Sequence, residues 1–294
     1  MADLPSDLPP DLPANWPMRD ASHLVTTAGH RWHVQQMGTG PDLLLLHGAG
    51  GATHSWRALA PLLAPHFRLT IPDLAGQGFS RMGARGRAGL DAMAGDLTSL
   101  CAHLDIRPQG ILGHSAGAAI ALRMTTTLPQ PPQALVGINA ALGSFDGIAG
   151  VLFPVMAKAL TYAPFLPQII ARAWGTESKV ASLLASTGSP LDVEGRTLYQ
   201  TLVSRPSHVE GTLAMMAQWR LDALLASLPG IATPTLLVAA ADDRAVPSMV
   251  SARAAARLPV ADYAELPQGG HLLHETRPEA VGGLILPFLN RHVR

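Results

Sequence analysis

Gly110-Ile111-Leu112-Gly113-His114-Ser115-Ala116-Gly117-Ala118-Ala119-Ile120 is the stretch that decides the fold. An apolar run leads into Gly113-x-Ser115-x-Gly117, and residues of helical character continue from Ala116 to Leu128. A G-x-S-x-G pattern between a strand and a helix is a nucleophile elbow, a sharp turn that lifts a serine hydroxyl clear of a parallel sheet. By chance the pattern is expected ~0.14 times in a chain of this length and composition, so its force comes from that context. The turn strains the serine backbone and brings strand and helix together, which is why both flanking positions are glycine. The helix beginning at Ala116 aims free N–H groups and its positive dipole end at the space above Ser115, where negative charge would develop.

The sequence on either side supplies the rest of a sheet. Upstream, His23 to Thr27 and Arg31 to Gln36 read as two short strands around an Ala28-Gly29 turn. Leu43 to Leu46 then runs into His47-Gly48-Ala49-Gly50-Gly51, with helical character from Thr53 to Leu63. A buried strand followed by a glycine loop and a helix is the repeating unit of a parallel sheet. The unit recurs as strand Arg68 to Pro72 with helix Leu90 to Leu104, and as the elbow strand with its helix before strand Ala134 to Asn139. It resumes with Thr235 to Ala239, helix Pro247 to Arg257, strand Ala261 to Glu265 and helix Pro278 to Asn290. The fold class is α/β, a mostly parallel doubly wound sheet with an inserted helical cap. The expected organisation is a Pro-rich arm over 1–20, a core over 21–142 and 226–294, and the cap over 143–225.

Two further chain positions suit Ser115 as a nucleophile. In this kind of fold the acid and then the histidine follow the serine along the chain. The strand ending at Ala240 gives way to Ala241-Asp242-Asp243-Arg244-Ala245-Val246-Pro247, and the next strand gives way to Gln268-Gly269-Gly270-His271. Successive strand ends line one edge of the sheet, so the three groups can meet there. His271 would take the Ser115 proton and return it to the leaving group while a carboxylate fixes its tautomer and stabilises its cation. Asp243 is preferred over Asp242 as that acid, the other role on this loop being a helix cap before Pro247. The backbone N–H of Ala116 is one oxyanion donor, and Ala49 in the glycine loop is assigned as the second, with Gly50 in reserve.

Other readings of these residues are blander. His47 and His114 flank the site as structural groups, and His30, His33, His54 and His103 carry no functional assignment. His271-x-x-His274 lacks a Glu or Cys at usable spacing, so no metal is expected, and no cofactor either. Lysine plus arginine and aspartate plus glutamate number 21 each without a basic cluster, which argues against a nucleic-acid partner. Cys101, the sole cysteine, can form no internal disulfide, which suits a reducing, cytoplasmic compartment. The first residues lack the basic start and apolar core of a signal peptide and, with five prolines, read as a loose arm.

Hydrophobic residues make up 48% of the chain and charged residues only 14%, about half the ordinary charged share. Within the cap, Val151-Leu152-Phe153, Phe165-Leu166, Ile169-Ile170, Trp174, Met215-Met216 and Trp219 are apolar with few charges among them. The stretch Gly147 to Ala171 is interrupted by Lys158 and prolines, so it cannot span a membrane, although it can touch one from the side. Phe153, Met215, Met216 and Trp219 are the candidate lining of an apolar substrate pocket, each of them also suited to simple packing of cap on sheet. Gly143, Gly147 and Gly150 are candidate hinges.

His47-Gly48-Ala49-Gly50, Asp73-x-x-Gly76-x-Gly78-x-Ser80, Gly113-His114-Ser115-Ala116-Gly117, Asp243-x-x-x-Pro247 and Gly270-His271 together resemble the α/β-hydrolase superfamily over nearly all the chain after residue 20. Its dehalogenase and epoxide hydrolase branches use an aspartate nucleophile, against which Ser115 argues. More narrowly, Ala52-Thr53-His54-Ser55-Trp56-Arg57, the elbow extended to Ile120, Ser186-Thr187-Gly188-Ser189 and His208-Val209-x-Gly211-x-Leu213-Ala214-Met215-Met216-Ala217 resemble the magnesium chelatase accessory proteins of bacteriochlorophyll biosynthesis. That resemblance implies a phototrophic bacterium, magnesium chelatase subunits as partners and a role near magnesium insertion into protoporphyrin. Two functions stand side by side: a serine hydrolase of an ester-like bond in a bulky apolar substrate, or a non-catalytic tetrapyrrole-binding or chelatase-interacting protein on a hydrolase scaffold. Acyl transfer and cofactor-free peroxidase chemistry would use the same three residues.

Overall fold

In the computed structural model residues 8–83, 85–143, 163 and 165–294 are described. Strands β1 (Ser22–Thr27) and β2 (His30–Met37) form the expected hairpin. Its two turn residues, Ala28 at φ 53° and Gly29 at φ 75°, take the left-handed backbone that matches a two-residue loop to strand twist. The remaining strands are β3 (Asp42–Leu46), β4 (Arg68–Pro72), β5 (Gly110–His114), β6 (Ala134–Ile138), β7 (Thr235–Ala240) and β8 (Ala261–Leu266). All join one sheet in the order β1-β2-β4-β3-β5-β6-β7-β8, antiparallel at the β1–β2 and β2–β4 pairs and parallel beyond. The strand order reverses around β3, which pairs with both β4 and β5, and there the ends of β3 and β5 lie side by side with Leu46 opposite Gly113.

Both faces of this sheet are covered, which explains why its central strands are continuously apolar rather than alternating. Along β3, Leu44 and Leu46 enter one core with Trp32, Met93 and Ile120, while Leu43 and Leu45 enter the opposite core with Trp56, Ile285 and Leu289. Helices α2 (Leu90–His103) and α3 (Ala116–Met124) close the first side, and α1 (Ala60–Leu63) and α11 (Pro278–His292) the second. Cys101 is buried on α2, its thiol pushed up to about 12 by burial, and so stays a neutral packing group.

Two helices depart from expectation for local reasons. The Thr53–Leu63 segment splits into a 3-10 turn over Thr53–Trp56 and the short α1, where Pro61 occupies a first-turn position that needs no N–H donor. Helix α3 ends at Met124 because the hydroxyls of Thr125 and Thr126 bond the carbonyls of Leu122 and Arg123, at 2.7 and 3.0 Å, instead of supporting another turn. The N-terminal stretch is also less loose than its prolines suggest. Leu12 and Trp16 are buried against Ala52, Phe79, Leu198 and Leu202, and the Trp16 indole N–H donates to Thr53 Oγ1 at 3.1 Å.

Between β6 and β7 the described residues form α4 (Leu166–Trp174), α5 (Glu177–Ser186), α6 (Val193–Val203), α7 (Pro206–Gln218) and α8 (Asp222–Ser227). Phe153 and the glycines at 147 and 150 lie outside the described residues. Helix α7 crosses the loops that follow β3 and β4. A Cβ on Gly211 would fall 2.0 Å from the Gly76 carbonyl oxygen, so only glycine permits that approach. Beside it, His208 Nδ1 accepts the Gly78 N–H at 2.9 Å, and burial lowers the His208 pKa to about 3, leaving a neutral ring with a free acceptor. After β7 come α9 (Ser248–Ala255) and, beyond β8, α10 (Leu273–Thr276), which leads into α11.

Asp73, at the end of β4, ties these loops together. Its Oδ1 accepts the Thr53 N–H at 2.6 Å, and its Oδ2 accepts the Phe79 N–H at 2.8 Å and meets His33 Nδ1 at 2.7 Å. Burial alone would raise its pKa, but attraction to His33 and the bond with it hold the carboxyl at about 2 against an ordinary 3.8. A depressed carboxyl stabilises the folded state above its unfolded pKa and loses that stabilisation as pH falls through the folded value. Its contribution, about 2 kcal/mol, should therefore disappear between about pH 4 and pH 2. Urea titrations across that range should show Asp73→Asn already destabilised near neutrality and lacking this part of the acid-side loss; an acid profile identical to wild type would contradict the assignment.

Candidate active site

The elbow has the geometry its glycines require. Ser115 sits at φ 52° and ψ −116°, a strained backbone held by its N–H donating to Ile138 O at 2.9 Å. A Cβ on Gly113 would lie 2.4 Å from the Ala118 nitrogen, and one on Gly117 would lie 2.2 Å from the Leu46 carbonyl oxygen. Helix α3 therefore presses against the ends of both β3 and β5. The Ala116 N–H, first in α3, has no carbonyl one turn back within the helix and points to the end where anions are favoured.

The structure brings the three separated residues together. His271 Nε2 is 3.0 Å from Ser115 Oγ, and His271 Nδ1 is 2.8 Å from Asp243 Oδ2. The Asp243 side chain is fully buried, and its other oxygen accepts the N–H groups of Ala245 and Val246 at 2.8 and 2.9 Å. One carboxylate thus closes the turn after β7 and faces the imidazole. Asp242 has a different task from the helix cap expected of it: its Oδ1 accepts the Gly270 N–H at 2.8 Å and so steadies the histidine loop.

The glycine loop after β3 lies directly against the serine. A Cβ on Gly48 would fall 3.0 Å from Ser115 Cβ and 2.8 Å from His114 Nδ1. His47 Nε2 accepts the Leu74 N–H at 2.8 Å, so the proton resides on Nδ1, which donates to Gly48 O at 2.7 Å. Burial lowers the His47 pKa and keeps it neutral for both bonds. The Gly50 N–H is taken by Gln77 Oε1 at 2.8 Å, which removes Gly50 as the reserve oxyanion donor. Ala49 is exposed in the turn between them, and its N–H meets no protein acceptor among the described residues.

Of the expected pocket residues, Met215 and Trp219 are buried in the core on the α2–α3 side, and the Met215 sulfur accepts a bond from the Gln77 amide at 3.1 Å. Met216 is half-buried on α7, whose Thr212 methyl would contact a Cβ on Gly50. A cavity of about 470 Å³ lies away from Ser115, between α5 and α6, lined by Leu184, Ser189, Pro190, Leu191 and Arg196 among others. Among the described residues no group of three or more His, Cys, Asp or Glu side chains is arranged to hold a metal ion.

Of the supporting groups, Asn139 and Glu275 escape a reading of the sequence alone, while His114 reads there as a structural flank of the site. Asn139, at φ 45° just past β6, donates through Nδ2 to the carbonyls of Gly270 and His271 at 2.9 and 2.8 Å and accepts the Ala240 N–H at 2.8 Å. The His114 ring donates through Nε2 to the same His271 carbonyl at 2.8 Å, and burial holds its pKa well below the ordinary histidine value. His274 packs 4.4 Å from His114 and 4.8 Å from Trp56, centroid to centroid, and burial lowers its pKa to about 3. Next to it Glu275 is buried against Arg57 and accepts the Tyr199 hydroxyl at 2.7 Å. The one available signal was an asparagine directly after a parallel strand, a residue that tolerates the left-handed backbone.

With this geometry in view, the likeness to known proteins is direct. The family model of the alpha/beta hydrolase fold matches residues 41–278, and the chain belongs to that family. Within the family it is 46% identical to the magnesium-chelatase 30 kDa subunit of Rhodobacter capsulatus, over 94% of this chain and 97% of that protein. It is 29% identical to a pimeloyl-acyl carrier protein methyl ester esterase of Xanthomonas oryzae pv. oryzae, over 81% of this chain and 91% of that protein. Among solved structures, an alpha/beta hydrolase fold protein from Burkholderia ambifaria aligns with a TM-score of 0.78 at 25% identity, covering 92% of this chain and 98% of that one.

The packing at the elbow yields a direct test. Gly117→Ala places a methyl group 2.2 Å from a backbone oxygen that cannot swing away, so calorimetry should show a loss of about 3 kcal/mol or outright failure to fold. The exposed Gly283, whose added Cβ would meet nothing within 4 Å, is the control. A Gly117→Ala protein as stable as Gly283→Ala would contradict the close approach.

Proposed function

We propose that the chain is a serine hydrolase acting on an ester-like bond of a bulky apolar substrate, in association with magnesium chelatase. The observation that carries the catalytic part is the unbroken line from Asp243 Oδ2 through His271 to Ser115 Oγ, at 2.8 and 3.0 Å. In this reading Ser115 Oγ attacks the substrate carbonyl carbon as its proton passes to His271 Nε2. Asp243 stays ionised and stabilises the imidazolium. The carbonyl oxygen becomes an oxyanion and accepts from the Ala116 and Ala49 N–H groups. Collapse expels the leaving group, which receives the proton from His271, and leaves an acyl-Ser115. Water, deprotonated by His271, then releases the carboxylic acid and restores the serine. No cofactor takes part in these steps.

The apolar substrate class is supported by the low charge of the chain and by α7, whose Thr212 methyl approaches Gly50 in the loop holding Ala49. Met216, one turn further along α7, is assigned to the pocket wall. Phe153, Met215 and Trp219 are assigned to the same pocket by their apolar character, Met215 and Trp219 as the packed layer behind its wall. The residues over 143–225 act as the cap that excludes water from this space. No described helix is long and apolar enough to cross a membrane, and we place the protein in the cytoplasm with its cap able to rest on a membrane surface. The 46% identity to a protein named as a magnesium-chelatase subunit supports the partnership. The link to bacteriochlorophyll synthesis and a tetrapyrrole as the bulky group rest on the resemblance read from the sequence motifs. Identity and resemblance equally support a second reading, in which a tetrapyrrole or a chelatase subunit is bound without chemistry.

Hydrolysis of p-nitrophenyl esters of increasing acyl length by wild type and Ser115→Ala separates the two. Covalent serine chemistry predicts a loss of roughly a thousandfold or more in the folded variant, with longer acyl chains preferred by wild type. Equal, near-background rates in both, together with quenching of porphyrin fluorescence on binding, would overturn the hydrolase reading in favour of the binding one.

A further inference from the structure

The side-chain bonds of His271 fix the rotation of its ring, but where the ring sits depends on its backbone. That backbone follows Gly269 at φ 146° and Gly270 at φ 63°, left-handed positions that residues with a side chain adopt only under strain. The core holds His271 itself by its carbonyl, through Asn139 and His114, while Asn139 and Asp242 hold the carbonyl and N–H of Gly270 before it. Both amide donors flanking the carbonyl, those of His271 and Leu272, go instead to the segment that ends α5. The His271 N–H donates to Thr187 O at 3.1 Å, and the Leu272 N–H donates to Ser189 Oγ at 2.9 Å.

The two loops meet without intervening side chains. A Cβ on Gly270 would fall 2.3 Å from the Gly188 carbonyl group, and a Cβ on Gly188, itself at φ 81°, would fall 2.7 Å from Asp242 O. The Thr187 carbonyl also accepts the Arg244 N–H at 3.3 Å, beside the acid. Ser189 is buried, and its hydroxyl lies 3.0 Å from Thr187 Oγ1, which in turn donates to Leu184 O at 2.6 Å at the end of α5. Thr187, Gly188 and Ser189 therefore touch the acid loop and the histidine loop at once, from an element inserted between β6 and β7.

We propose that Thr187–Ser189 is a positioning element that seats His271, with Ser189 as its decisive side chain, so that the alignment of His271 on Ser115 depends on the helical insert being in place. This assignment rests on the serine-hydrolase reading for its effect on rate, but not for its effect on the histidine. Losing the Ser189 hydroxyl leaves the buried Leu272 N–H without an acceptor and frees the backbone on one side of the imidazole. Sub-ångström displacement of a reacting group is enough to slow a proton-transfer step.

The test compares wild type, Ser189→Ala and Ser189→Thr, all checked for folding by thermal melts. A fluorophosphonate measures the second-order labelling rate of Ser115 across pH, and NMR follows the His271 Nδ1–H resonance and the exchange rate of the Leu272 amide. Ser189→Ala should slow labelling about tenfold, shift the midpoint of its pH profile, broaden or remove the Nδ1–H signal and speed Leu272 exchange. Ser189→Thr, which keeps the hydroxyl, should recover all four. An unchanged Nδ1–H signal and Leu272 exchange in a folded Ser189→Ala protein would overturn the positioning role. If wild type is not labelled at all, the hydrolase reading fails, and the two NMR readouts still decide whether Ser189 seats the histidine.

Discussion

Between β5 and α3 the chain reverses in so little space that Gly113 and Gly117 have no room for a Cβ, the one facing α3 and the other facing the end of β3. Ser115 between them takes a backbone conformation that costs energy, and neighbouring contacts maintain it. Everything else at the site follows from this close approach. It brings the glycine loop after β3 against the serine, puts the first N–H groups of α3 beside the hydroxyl, and places Ser115 within reach of loops that follow β7 and β8. The strain is offset by the sheet, whose two cores fix β3 and β5 from opposite faces.

A second feature is the way histidines are used. His47, His114, His208 and His274 all have pKa values lowered by burial. Three of them use neutral rings as hydrogen-bonding struts between backbone segments, and His274 packs as a flat aromatic group. Around the site these rings serve without charge, beside the carboxylates of Asp73 and Asp242, which accept further backbone N–H groups. The positive charge that His271 would acquire faces the buried carboxylate of Asp243, whose second oxygen is already occupied by two N–H donors.

Much of this was legible in the sequence because each element announces itself locally. Apolar runs ending in glycine-rich loops marked the strand ends, and the chain order of Ser115, Asp243 and His271 needed no contact information. The supports around them were not legible, because they are set by long-range approach. Nothing near Ser189 in the sequence points to Leu272, and nothing near Asn139 points to Gly270. The Ser186-Thr187-Gly188-Ser189 stretch was visible as a pattern, yet its role appears only where Gly188 meets Gly270. Asp242 and Asp243 are equivalent in sequence and are separated by which of them the turn after β7 points at the imidazole. The split of the Thr53–Leu63 helix and the early end of α3 were likewise decided by hydroxyl bonds and a proline.

The central claim is that Ser115 is a nucleophile whose developing oxyanion is received by the N–H groups of Ala116 and Ala49. It is tested most directly by a crystal structure of the protein after reaction with a diethyl p-nitrophenyl phosphate. The account predicts a phosphoryl group bonded to Ser115 Oγ, with one oxygen within hydrogen-bond distance of both nitrogens and the His271 ring still beside Asp243. Density for an unmodified Ser115, or for an adduct with its oxygen turned away from both donors, would contradict it.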